Sequence, residues 1–469
     1  MRTLLLTSLL LATPCLAQDL THKAAPQSVP VIISNATIHP ISAEPFVGTL
    51  YFSNGILRSV ATEQKWKEIE ATVLWEKQPT RIDGNGKHVY PAFIAPYTQL
   101  GLTEIQSVRA TQDLGEVGSI TPEVKACTAF NPDSTLIPVT RRNGVLIAGI
   151  FPEGGLVPGQ GCAARLDAWT IEDTTIAPRD SLASAGMVLR WPNVRPISAW
   201  WMDKSDEDQL KDIRQQLDDI KKLFDTAKNY ALARKHDPSQ AIDLRWEQMV
   251  PIFFSQAASG DETQAAATDA DKPKAKNPTL PVFIHAQDAD QIASAVSFCA
   301  ELNIRCVIVG GRDAALVSEL LKKNDVSVIV TGAQNMPRRD DSATDDGFTV
   351  PKRLYDAGVR FTIATSDDTA HERNLPYVAA TAVAHGLPVD AALRALTIDA
   401  ATVLGIDDRY GSLEVGKSAS LIVTQGDPLQ VTSDVIMAFL DGRQVDLSNK
   451  QTKLTEKYLD RYKQKGDLK

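Results

Sequence analysis

The alternation of apolar and polar positions divides the chain into two β-rich ends and a different middle. Val31-Ile32-Ile33 and Gly48-Thr49-Leu50-Tyr51-Phe52 read as short strands. Between the second run and Ile56, Ser53-Asn54-Gly55 signals a hairpin, because Asn and Gly tolerate the left-handed backbone of a tight turn. Toward the other end, Ala419-Ser420-Leu421-Ile422-Val423 and Val435-Ile436-Met437-Ala438-Phe439-Leu440 repeat the pattern, and Asp441-Gly442 closes a second hairpin. The expectation is one small β-sandwich assembled from residues 30–90 and 411–446.

The middle, residues 91–410, alternates continuous apolar runs with helical segments. Ala92-Phe93-Ile94, Gly144-Val145-Leu146-Ile147-Ala148, Pro281-Val282-Phe283-Ile284 and Cys306-Val307-Ile308-Val309 are such runs, followed by Val326–Val330 and Phe361–Ala364. Strands apolar on both faces belong in a parallel sheet covered by helices, and the length favours an α/β fold of the (β/α)8 TIM-barrel type over an open sheet. Two insertions interrupt the pattern. Residues 205–235 form a long charged helix capped by Ser205, with Leu210, Ile213, Leu217, Ile220, Phe224 and Ala227 on one stripe. Residues 255–277 carry no apolar period and read as a surface loop. Gly154-Gly155 and Gly159-Gln160-Gly161 read as turn geometry, and residues 447–469 as a helical tail.

Composition narrows the function classes. A net charge of -9 over 469 residues repels phosphate backbones and argues against a nucleic-acid partner. Residues 1–17 have the form of a signal peptide: Arg2, the apolar run Leu4–Ala12, and small residues before Gln18. No later run is long enough to span a bilayer, so an exported protein, periplasmic or secreted, is expected. Beyond Cys15 stand Cys127, Cys162, Cys299 and Cys306, none in a C-x-x-C pair. Two disulfides or buried thiols are both open, with Cys299 and Cys306 placed to face each other across a helix–strand connection.

Three segments then carry a family resemblance: Asp83-Gly84-Asn85-Gly86-Lys87-His88-Val89-Tyr90-Pro91-Ala92-Phe93-Ile94, the stretch Ala392–Gly405, and Gly411-Ser412-Leu413-Glu414-Val415-Gly416-Lys417 running on to Gly426-Asp427-Pro428. They resemble the metal-dependent amidohydrolase superfamily, in its imidazolonepropionase-like or dihydroorotase-like branch. The resemblance implies one or two divalent metals such as zinc at the C-terminal mouth of the barrel. There a metal-acidified water attacks a carbonyl and an aspartate takes its proton. The family ligands are a His-x-His pair after strand one, a carboxylate or modified lysine, one histidine each after strands five and six, and an aspartate after strand eight.

Transferred position by position, the His-x-His pair falls on Tyr97-Thr98-Gln99, so that Tyr97 and Gln99 become candidate substrate-binding residues. His285 matches the strand-five histidine, while Gly310-Gly311 stands where the strand-six histidine belongs. Asp367 matches the strand-eight carboxylate and is the candidate base and metal ligand, with Asp368 its neighbour; His371 is a weaker third ligand. No G-x-S-x-G elbow offers a serine nucleophile. Two readings follow. One is a hydrolase of C–N bonds in a small-molecule or peptide-like ligand, working with an atypical metal site. The other is a catalytically inactive binding or assembly protein. Either is compatible with a homo-oligomer.

Overall fold

The computed structural model describes residues 22–466 except 180–183, 199–202, 255–278, 338, 340–341 and 366–368. The expected signal peptide and the expected surface loop at 255–277 lie outside the described residues, as do Asp367 and Asp368.

Alternating segments at the N-terminal end give β1 (Val31–Ile38), β2 (Phe46–Ser53), β3 (Ile56–Thr62), β4 (Thr80–Asp83) and β5 (His88–Pro91). The middle supplies β6 (Phe93–Thr98), β7 (Val145–Ile150), β8 (Gly159–Arg165), β9 (Thr175–Ile176) and β10 (Gly186–Arg190). It continues with β11 (Val282–Ala286), β12 (Cys306–Gly310), β13 (Ser327–Val330) and β14 (Phe361–Ile363), and the chain returns through β15 (Leu421–Thr424), β16 (Val435–Leu440) and β17 (Arg443–Gln444).

Both chain ends share one sheet, in the order β17-β16-β15-β5-β1-β2-β3 with β4 beside β1. Its seam is the antiparallel pairing of β15 with β5, where Val423 opposes Val89 and Leu421 opposes Pro91. The sheet curls over its own core. Phe52 on β2 and Phe439 on β16 are separated by three intervening strands, yet their rings meet edge to face at 5.1 Å. Flat strands spaced about 4.8 Å apart would hold them far beyond contact. Val31, Ile33, Leu50, Leu57 and Leu421 fill the space between, all buried.

The second sheet runs β6-β7-β8-β10-β11-β12-β13-β14, and β14 comes back against β6 to make a nearly closed barrel. Five neighbouring pairs are parallel, from β6–β7 to β13–β14. β8 departs from the expected all-parallel barrel, lying antiparallel to both β7 and β10. The connection from Ile150 to Gly159 explains the reversal: a parallel crossover needs about a dozen or more residues, and this one is shorter. Gly159-Gln160-Gly161 is therefore strand, which corrects the turn expected there. At Gly161 a Cβ would come 2.1 Å from the Phe151 ring, so this glycine admits a neighbouring aromatic instead of bending the chain. Gly154 and Gly155, with φ of 101° and 54°, do form a turn before it.

The long helix spans Asp206–His236 with Ser205 accepting from the Asp208 N–H, and its C-terminal half buries Ile220, Leu223, Phe224, Ala227 and Ala231. Its first turn is exposed; Leu210, Ile213 and Leu217 are half-buried, Leu217 packing against the barrel core, so the stripe deepens along the helix. Cys127, in the long excursion after β6, is bonded to Cys162 on β8, with the two Cα atoms 6.1 Å apart. Cys299 and Cys306 are buried thiols hydrogen-bonded to each other. Among the described residues, no helix is long and apolar enough to cross a membrane.

Candidate active site

Parallel barrel strands deliver the residues at their C-terminal ends to one mouth, and this geometry builds the site. Tyr97 and Thr98 end β6, Arg190 ends β10, and His285 stands near the end of β11, where Arg190 and His285 are register partners. A cavity of about 230 Å³ opens between them, walled by Tyr97, Gln99, Glu153, Arg190, His285 and Glu372 among others. Tyr97, Gln99 and His285 are thus brought together. The structure does not bring His371 to this wall: it is exposed on the turn Thr369–Asn374. Asp367 lies outside the described residues.

The Tyr97 hydroxyl and His285 Nε2 are hydrogen-bonded at 2.7 Å, with the rings edge to face. Tyr97 is held for this contact by Phe151, stacked on it at 4.4 Å and 12°. Burial, aided by the positive charge of Arg190, lowers the His285 pKa to about 4, so the ring is neutral at physiological pH. Arg190 is itself paired with Glu153 at 2.8 Å across the rim.

Glu372, like Arg190 and Glu153, is a residue of this site that the sequence did not single out. The turn Thr369–Asn374, following β14, carries its side chain back under the mouth, where only 1% of it remains exposed. The Thr365 hydroxyl donates to Oε2 at 2.8 Å and Thr98 supplies a second hydrogen bond, whereas Oε1 has no partner among the described residues. Burial raises the Glu372 pKa to about 7, against the opposing pull of those two hydroxyls.

The described donors do not suit a divalent ion of the kind the family resemblance implies. A single imidazole is present, and its Nε2 is engaged by a phenol. The neighbouring amide of Gln99 is a weak ligand, and β10, the fourth strand along the barrel sheet, ends in the guanidinium of Arg190. The strand-six position is Gly310, which offers no ligating side chain; its φ of 111° and the Ala286 carbonyl oxygen, 2.9 Å from where a Cβ would sit, disfavour any other residue there. Among the described residues, no group of three His, Cys, Asp or Glu side chains could hold a metal ion.

Comparison with known proteins agrees with this architecture. The amidohydrolase family model matches residues 262–447. The imidazolonepropionase of Syntrophobacter fumaroxidans is 24% identical over 416 residues, covering 81% of this chain and 84% of that protein. The amidohydrolase tasK of Hapsidospora irregularis is 31% identical over 91 residues, which are 19% of this chain and 9% of that protein. Among solved structures, an amidohydrolase from Thermotoga maritima superposes with a TM-score of 0.70 at 23% identity, over 89% of this chain and 99% of that one. At that identity the likeness bears on the fold. A prolidase solved with n-methylphosphonate-l-proline reaches a TM-score of 0.52 at 14% identity, over 89% and 100% of the two chains.

Proposed function

We propose that this chain, which belongs to the amidohydrolase superfamily, hydrolyses a C–N bond of a small-molecule or peptide-like amide in the cavity at the barrel mouth. The observation that carries the reading is the buried Oε1 of Glu372, which has no hydrogen-bond partner among the described residues. A carboxyl buried this deeply with a free oxygen beside a polar cavity is placed for proton transfer, and one hydrogen bond short without a ligand. In this reading Glu372 takes a proton from water as its oxygen joins the carbonyl carbon. The C–N bond breaks and the proton passes to the leaving nitrogen. Neutral His285, fixed by Tyr97, orients the amide, and Arg190 stands by the oxygen that gains negative charge. No step is assigned to a metal. Export of the mature chain, supported by the form of residues 1–17, belongs to the same proposal.

The test is turnover of a panel of N-acyl amino acids, dipeptides and cyclic amides by the mature protein and by Glu372→Gln. The expected result is hydrolysis of at least one class, with kcat lowered about 100-fold or more in the variant while its fold is kept. An unimpaired variant would sink the role of Glu372. Asp367→Asn, run in parallel, tests the carboxylate expected from the resemblance. A second reading, a binding protein without chemistry, is favoured by the phenol engaging His285 Nε2. Saturable ligand binding with no turnover across the panel would decide for it.

A further inference from the structure

Beside the site lies a second, larger cavity of about 620 Å³, bounded by the segment after β10, the start of the helix Ala289–Leu302, and the loops after β12 and β13. The two cavities adjoin through consecutive residues, since Gln287 lines the first and Asp288 the second. We infer that this second cavity is the subsite for a carboxylate-bearing end of the substrate whose amide occupies the first, an inference that rests on the hydrolase reading above.

Three guanidiniums, those of Arg195, Arg312 and Arg339, reach the cavity. Facing them are Asp288, Asp290 and Asp313; Arg312, Arg339, Asp288 and Asp313 form one cluster, and Arg195 with Asp290 a separate pair. Arg312 pairs with Asp288, Arg339 with Asp313 and Arg195 with Asp290; Arg339 also stands 3.6 Å from Asp288. Formal charges cancel, but hydrogen-bonding capacity does not. Each guanidinium offers five N–H donors, and Asp288 and Asp313 are each shared between Arg312 and Arg339. At Arg312 the Nε is buried, lies 3.7 Å from Asp313, and has no hydrogen-bond acceptor among the described residues.

The helix Ala289–Leu302 adds to this. Its N-cap, Asp288, makes no capping hydrogen bond, because its carboxylate is turned to Arg312 and Arg339. The first backbone N–H groups therefore add positive potential to the same wall. A wall with spare donors takes an acceptor-rich anion, and planar guanidiniums match a carboxylate best. Val194, Ile197 and Leu316 on the remaining sides give an apolar lining for the carbon skeleton beside it. The cavity's size suits one amino-acid residue or a small dicarboxylate, whereas the first cavity is large enough only for the reacting group.

The experiment is calorimetric titration of the full mature chain with N-acetyl-L-leucine and, separately, with N-acetyl-L-leucinamide, which differs only in lacking the carboxylate. The titrations are repeated on Arg312→Gln and on Glu372→Gln. The expected result is binding of the acid at least about tenfold tighter than the amide, a preference lost in Arg312→Gln and kept in Glu372→Gln. Equal binding of the two probes, or no binding of either, overturns the inference, as does a preference that survives in Arg312→Gln. Arg339→Gln serves as a second variant should Arg312→Gln fail to fold, with the same outcomes. The hydrolase reading fails separately: the acid preference would be present while the panel described above shows no turnover.

Discussion

Glu372 and His285 are pushed in opposite senses by the same burial, and their pH signatures are opposite. The carboxyl of Glu372 holds its proton up to about pH 7 in the folded chain but ionises near about 4.5 when unfolded. Below that lower value both states are protonated and there is no penalty. Between the two values the unfolded chain releases a proton that the folded chain keeps, so stability falls as pH rises, by roughly 3 kcal/mol at most. His285 works the other way: folded it stays neutral down to about 4, so stability falls as pH drops from about 6.5 toward 4. Glu372→Gln is therefore expected to be more stable than the parent at pH 8 and nearly equal to it at pH 4. Urea midpoints at the two pH values check this, and a variant less stable at pH 8 would refute it. Tyr97 and His285 were legible in the sequence because they end or nearly end obvious apolar runs. Glu372 was not, because a six-residue turn returns it to the barrel and no periodicity marks a turn. Arg190 was missed for a related reason: its five-residue strand lies within a stretch dominated by insertion.

At the level of elements, the strands that sequence patterning recovers are those with a continuous run of bulky apolar residues, such as β11, β12 and β13. β8 escaped it because Gly159-Gln160-Gly161-Cys162-Ala163-Ala164 carries almost no apolar bulk. Its burial comes from neighbours such as Phe151 reaching across it. The end sheet was readable from its two hairpins, although the curl that brings Phe52 to Phe439 depends on strand order and not on any local signal. The end of β12 offers a sharp test of how tightly the elements fix the mouth. Gly310→Ala would place a methyl group 2.4 Å from Gln287 Nε2 on a backbone with φ 111°. We expect a loss of about 2 kcal/mol or more, with displaced Gln287 also weakening ligand binding in the adjoining cavity. A denaturant midpoint unchanged from the parent would show that the strand end is softer than its geometry suggests.

For the whole molecule, the Cys127–Cys162 disulfide ties the excursion after β6 to the one reversed strand of the barrel, across 35 residues. A cross-link of that span restricts the unfolded chain, and its removal is expected to cost about 4 kcal/mol. Cys127→Ser with Cys162→Ser, melted beside the parent, measures it; an unchanged Tm would mean that the excursion is held by its other contacts alone. The seam between β5 and β15 has a consequence of another kind, for the order in which the molecule is made. β5 leaves the ribosome early, and its partner on that side is among the last strands to emerge. Until then the first strands present an unpaired edge and the half-filled core that Phe439 completes. The sheet formed by the first strands is thus completed only once the last strands of the chain are available to pair with them.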